Sequence, residues 1–308
     1  MRCNKISFLE KITKPPDSLK TSGGLIMKRS FLALFLLLIA FTAHAQIKVL
    51  GIGNSFSEDA LEQNISEIAV SEGVPMIIAN LYIGGCSIDR HLENIEGNKP
   101  LYRYTKFDAQ GKRAIKEKVT LESVIGDEKW DYISVQQVSG QSGIYESYAG
   151  LPELISWIKK KVPGAKILLH HTWAYAVDSK HADFPNYESS QATMFSQICK
   201  AVQRVKADNK IDVAVPTGPA IQYLRQATND YNHTRDGFHL SLGMGRYTAS
   251  CTWFATLTGR NVSNIKYYPD GSNPRTTAIT ETDAQLCRQA ASKAVRYWVT
   301  IPQMSRKK

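Results

Sequence analysis

Cysteine is sparse in this chain of 308 residues: five in all, with Cys86, Cys199, Cys251 and Cys287 the only ones beyond residue 45 and no Cys-x-x-Cys pair. That usage argues against a structural zinc site and against a disulfide-built scaffold, while leaving room for a single disulfide in oxidising surroundings. Cys199 and Cys251 fall in helical patterns and read as small buried hydrophobes. Histidine is sparse as well. The seven include one group resembling a metal set, His170, His171 and His181 with Asp183. Its two adjacent members lie on a strand, where neighbouring side chains point to opposite faces. No metal or organic cofactor is expected. Also missing is any basic run interleaved with aromatics, the pattern of a nucleic-acid groove, although the formal charge is +10. Half of that charge resides in residues 1–45, which hold seven basic and two acidic residues. There are no internal repeats and no low-complexity linker, so one folded domain is the economical reading.

Long hydrophobic runs are confined to one place. Met27-Lys28-Arg29 is followed by an apolar stretch over residues 31–41 and by Ala43-His44-Ala45, the basic, apolar and small-residue regions of an export signal cleaved after Ala45. The stretch is too short for a permanent bilayer span; an uncleaved signal anchor is the alternative. Cleavage leaves Gln46, not a lipidated cysteine, at the new N-terminus. Residues 1–45 are therefore read as an N-terminal extension and signal peptide, with translation starting at Met27. Residues 46–308 are the working domain, periplasmic or extracellular and without a stable membrane anchor. Its 263 residues suffice for one large core.

Strand-like apolar runs at residues 48–51, 76–83, 132–136, 166–171 and 212–215 alternate with helical periodicities at 60–72, 151–161, 187–206, 242–257 and 283–298. Such alternation predicts a three-layer α/β/α sandwich around a mainly parallel sheet. Ligands in such sheets bind beyond the carboxyl ends of the strands, where strand order switches. Residues 102–107 and 112–117 flank Asp108-Ala109-Gln110-Gly111 and read as a β-hairpin inserted before the third strand. A solvated basic ribbon is its favoured placement; overhanging the cleft is the other.

Gly53-Asn54-Ser55-Phe56-Ser57 joins the first strand to the first helical pattern. A turn there presents Ser55 at the strand's carboxyl end with backbone N–H groups nearby, which suits a nucleophile whose oxyanion must be hydrogen-bonded. By itself such a turn is common. Far downstream, Asp236-Gly237-Phe238-His239 places a carboxylate and an imidazole three residues apart. The carboxylate can orient the ring while its other nitrogen takes the serine proton. Met in isolation, the same pattern is a capping Asp ahead of a packed His. His233, three residues before Asp236, is the competing base, but Asp236 serves His239 more naturally. The order Ser…Asp…His with the last two close together differs from the separated pair of most α/β-hydrolases.

With these blocks at its two ends, the sequence from residue 48 to 297 resembles the SGNH (GDSL-like) hydrolases. Gly84-Gly85-Cys86-Ser87 resembles the glycine block that supplies a backbone oxyanion donor in that family. The third block normally carries an Asn, and residues 132–139 have none. A Gln replaces it in some carbohydrate-esterase branches; Gln136 is the candidate, and Gln137 the alternative, since one residue of register turns the side chain to the other face. The resemblance implies a serine esterase with Ser55 as nucleophile, His239 as base and Asp236 as its orienting carboxylate. The oxyanion would be held by the N–H groups of Ser55 and Gly85 and the side chain of Gln136, with no cofactor. Family substrates are short acyl esters on sugars, lipids and thioesters. Export, with His171 and Trp173 as possible substrate contacts and Tyr175 and Tyr145 on nearby loops, directs the expectation to O-acetyl groups on a polysaccharide. A carbohydrate-binding relative that lost catalysis would lack one of the three catalytic residues, and all are present. A lipase or thioesterase of the same superfamily is the remaining alternative; a phosphodiesterase or sulfatase would need clustered metal ligands. His91, just beyond the glycine block, reaches the cleft or is an ordinary helix residue.

Overall fold

Chain order and sheet order differ in this protein, and the difference places the site. The computed structural model describes residues 46–304, with side chains as far as residue 298; the export signal read over residues 27–45 lies outside the described residues. The strands are β1 (Ile47–Gly53), β2 (Met76–Tyr82), β3 (Tyr102–Phe107), β4 (Arg113–Val119), β5 (Tyr132–Val135), β6 (Lys166–His170) and β7 (Val213–Val215). They form one sheet in the order β4-β3-β2-β1-β5-β6-β7. Every pair from β2 through β7 is parallel, whereas β3 runs antiparallel to β2 and β4 to β3.

Parallel neighbours need crossover connections, and those are right-handed. The step from β1 to β2 moves one way across the sheet; the steps β2–β5–β6–β7 move the other way. Helices α1 (Ser55–Leu61) and α2 (Ile65–Ser71) therefore cover one face, and α3 (Ile88–Glu96), α5 (Leu151–Lys161) and α6 (Gln191–Asp208) the other, with the short α4 (Leu121–Val124) beside α3. After β7, α7 (Thr217–Thr228), α8 (Met244–Thr258) and α9 (Glu281–Met304) return to the first face, where α8 packs on α1, α2, α7 and α9. The result is an α/β fold of three layers with a mostly parallel central sheet. Strand order reverses at β1, whose two neighbours depart in opposite directions, so the crevice opens beyond its carboxyl end.

The hairpin expected over residues 102–117 is present, and its first strand extends the central sheet instead of standing free. Its first strand pairs with β2 along the register Ile78–Phe107 to Tyr82–Arg103, burying Tyr102, Tyr104 and Phe107. Only β4 is exposed, and Arg113, Lys116 and Lys118 along it blunt that open edge. The single helix expected over residues 60–72 is two. The break falls at Glu62, which turns inward to accept from Asn80 and Arg103. Among the described residues the four cysteines are free, and no helix is long and apolar enough to cross a membrane.

Candidate active site

The turn after β1 is built from residues with distinct tasks. Asn54 caps α1: its Oδ1 accepts from the Phe56 N–H at 3.1 Å, and its Nδ2 donates to the Cys86 carbonyl at 3.0 Å. The cap thereby ties the turn after β1 to the glycine turn after β2. Gly53 leaves room for that arrangement, because a Cβ there would stand 2.7 Å from Ser57 Oγ and 2.9 Å from the amide carbon of Gln136. Ser55 is the first residue of α1, and its Oγ hydrogen-bonds no other described residue. Its N–H belongs to the unpaired first turn of the helix. Across the crevice, residues 83–86 make a turn closed by Cys86 N–H to Ile83 O. Gly85 sits in it at φ +60°, with open space where a Cβ would be.

The second half of the site is a loop closed at its base by a bridge between Thr234 and Leu240. At its tip, Asp236 Oδ1 accepts from the N–H groups of Phe238 and His239, and Oδ2 takes the Nδ1–H of His239 at 2.6 Å. Partial burial works against the Asp236 carboxylate, but the imidazole and these two N–H groups outweigh it and hold the carboxyl below its usual range. Asp236 is thus an anion at neutral pH, and it fixes the His239 proton on Nδ1 and leaves Nε2 as the acceptor.

Two devices carry this loop to the start of α1, where Ser55 stands. Trp173, in the loop after β6, stacks on Phe56 with ring centroids 4.0 Å apart, and its Nε1 donates to the Phe238 carbonyl at 2.7 Å. Phe56 in turn meets the His239 ring edge-on at 6.1 Å. Such aromatic pairs contribute about 0.5–1.5 kcal/mol each beyond simple burial. The other device is Asp59, on α1 one turn beyond Ser55 and fully buried. Its carboxylate accepts from the Leu240 N–H, from Arg235 and from Arg246 of α8, at 2.8–3.0 Å. One side chain therefore joins the helix that begins at Ser55, the Asp–His loop and α8. Sequence reasoning passed over Asp59, which looks like an ordinary acidic residue in the first turns of a helix. Asp59→Asn is expected to cost about 3 kcal/mol, since it strands two arginines against an amide, and to lower kcat more than it raises KM. Urea unfolding and steady-state kinetics measure the two effects.

Residues 48–293 match the model of a family described as a domain of unknown function, DUF4886. The chain belongs to the DUF4886 family. It is 44% identical to a DUF4886 protein of known structure from Bacteroides uniformis, over 82% of this chain and 95% of that one, with a TM-score of 0.78. A candidate SGNH hydrolase from Slackia heliotrinireducens aligns at 18% identity over 68% of this chain and 98% of its own, TM-score 0.45. A variant of an acetyl-xylooligosaccharide esterase from Geobacillus aligns at 13% over 69% and 94%, TM-score 0.43. At that distance neither bears on this chain's chemistry. No curated protein matches it.

In this DUF4886 chain, the other expected site residues separate cleanly. Gln136 lies against the turn that precedes Ser55, with Nε2 donating to Asn54 Oδ1 at 2.7 Å. Gln137 faces away: its Oε1 accepts from the N–H groups of Ile88 and Val138, and its Nε2 donates to the Ser147 carbonyl. His171 and Trp173, expected as possible substrate contacts, are both fully buried. His171 packs against Cys199 of α6 and Trp298 of α9, and Trp173 is spent on Phe56. Tyr175 is buried on the Ser139 hydroxyl, and Tyr145 lies under Arg204 of α6. The aromatic platform expected for a sugar is therefore not made of these residues. What stands exposed or half-exposed near His239 is Phe238 and His181, whose rings meet at 4.7 Å, together with Leu242. His233 is no rival base: it is buried, bonded to Thr228 Oγ1 at 2.7 Å, with its pKa lowered chiefly by burial. His91 is a buried helix residue bonded to Tyr102.

Proposed function

We propose that the chain is a serine hydrolase of carboxylic esters with an SGNH-type constellation. The observation that carries the reading is the Asp236–His239 pair at 2.6 Å, in a loop pinned by Asp59 to the helix that begins at Ser55. Ser55 Oγ bonds to the ester carbonyl carbon as its proton passes to His239 Nε2. The N–H groups of Ser55 and Gly85 and the free Nε2–H of Gln136 receive the oxyanion. Collapse expels the alcohol, which takes the proton from His239; a water deprotonated by the same ring then frees the acid and regenerates Ser55.

The substrate class proposed is a short-chain, O-acetyl ester on a carbohydrate. Its support is the export signal read from the sequence over residues 27–45, which would put the enzyme in the periplasm or outside the cell. The test is turnover of a nitrophenyl ester series beside acetylated xylan and pectin. The expected result is fastest release from acetyl esters and free acetate from at least one glycan. Turnover of long-chain esters alone would favour the lipase or thioesterase alternative, and no turnover of any ester would contradict the reading.

Gln136→Ala is expected to lower kcat by about a hundredfold to a thousandfold with little change in KM, the usual consequence of losing one oxyanion donor. Gln137→Ala should leave kcat near wild type and instead lower stability by about 1–3 kcal/mol, because it orphans the buried Ile88 N–H and the half-buried Val138 N–H. Reversed effects would place the wrong amide at the nucleophile.

A further inference from the structure

An amide in an oxyanion site helps only if its nitrogen faces the nucleophile; reversed, its oxygen would repel the developing charge. Gln and Asn side chains can be turned either way, so the orientation of Gln136 needs a cause. The hydrogen bonds around it supply one. The Phe56 backbone N–H can only donate, so the atom of Asn54 that it meets at 3.1 Å is Oδ1. The Cys86 carbonyl can only accept, so the atom facing it at 3.0 Å is Asn54 Nδ2. Asn54 is thus fixed from both sides by backbone groups that cannot reverse. The Gln136 atom 2.7 Å from Asn54 Oδ1 must then be the donor Nε2, which leaves Oε1 pointing at His170 Nδ1, 2.8 Å away.

Two consequences follow for His170, the last residue of β6. Its Nδ1 must carry a proton, since Oε1 has none to give. The ring is fully buried, and burial pushes its pKa down to about 3, so it is neutral and its Nε2 is bare. Thr217 Oγ1, 3.0 Å from Nε2, donates to it. The chain of donors therefore runs one way: Thr217 to His170 to Gln136 to Asn54. Edge-on contacts with Trp253 at 5.1 Å and Trp173 at 6.1 Å hold the imidazole plane. Nothing in the expected catalytic cycle uses this histidine, and it touches no reacting atom.

We infer that His170 is a positioning residue for this hydrolase: its Nδ1–H holds Gln136 with nitrogen rather than oxygen toward the nucleophile turn. The inference rests on the serine esterase reading, and its test separates the two. In the full-length protein labelled with ¹⁵N-histidine, the signal lost in His170→Asn is expected to be a neutral ring protonated on Nδ1. In kinetics on a nitrophenyl acetate, His170→Leu should lose about a hundredfold in kcat, the scale of a small misplacement at the reacting centre, with KM within about twofold. His170→Asn should recover most of that loss, because Asn Nδ2 overlays the imidazole Nδ1 and can donate to the same Oε1. A merely structural role would show the two variants equally impaired in kcat, and that result overturns the inference, as does wild-type kcat in His170→Leu. A ring protonated on Nε2 overturns it without recourse to either variant's activity, and stands even if His170→Leu does not fold. Wild-type protein that hydrolyses no ester would instead overturn the esterase reading, and the positioning role with it.

Discussion

Ser55→Ala is expected to lower ester turnover by about 10⁴- to 10⁶-fold, the range for removing the nucleophile of a triad that acts as a unit. The fold should survive it. Ser55 Oγ hydrogen-bonds no described residue, and Ala at the first position of α1 removes no cap, because capping is done by Asn54. Stability should therefore change by no more than about 0.5 kcal/mol. Thermal unfolding measured beside turnover separates a lost reaction from a lost fold. A Ser55→Ala protein that still hydrolyses esters at a substantial rate would remove the nucleophile from the account.

His239→Ala is expected to be as damaging as Ser55→Ala, since without the base the hydroxyl is not activated. Asp236→Asn should cost about 10⁴-fold, because the amide can no longer fix the proton on Nδ1. His233→Ala offers the contrast. Its ring bonds Thr228 in a buried setting, so the loss should appear as roughly 2 kcal/mol of stability while kcat in the folded protein stays within a few-fold. Steady-state kinetics on the three variants, each checked for folding, decide the matter. An indispensable His233 would mean that the loop from residue 233 to 240 works in a different register.

The sequence made the nucleophile turn and the Asp–His loop legible because each is a local pattern whose geometry is set within five residues. The sheet's parallel core was legible for the same reason: each strand is a short apolar run followed by a helical period. Elements fixed by distant partners were not. The hairpin's bounds could be read, but its docking on β2 depends on a register that local pattern does not encode. Helix α7 was hidden by Thr217-Gly218-Pro219, which look like breakers. Pro219 is tolerated because the first turn's N–H groups have no helical partner anyway. Helix α3 did carry a signal, since Ser87 caps it by accepting from the Arg90 N–H, directly after the glycine block.

The same distinction explains the site. Trp173 and His171 follow a strand and looked available, but what buries them is Phe56, more than a hundred residues upstream, and Trp298 of the last helix. Asp59 looked like a solvated acid because its arginines lie 176 and 187 residues away in the chain. Gln136 could be proposed from its position at the end of β5, whereas the orientation of its amide depends on four residues distant in the chain, Asn54, Phe56, Cys86 and His170.

Ser55, if activated by His239, should react with an electrophile that carries no specificity for the alcohol. Exposure of the wild-type protein to a fluorophosphonate, followed by intact mass and peptide mapping, tests this most directly. One adduct per chain is expected on Ser55, absent in Ser55→Ala and formed far more slowly in His239→Ala. Labelling of a different residue, or a Ser55 adduct forming at the same rate without His239, would contradict it.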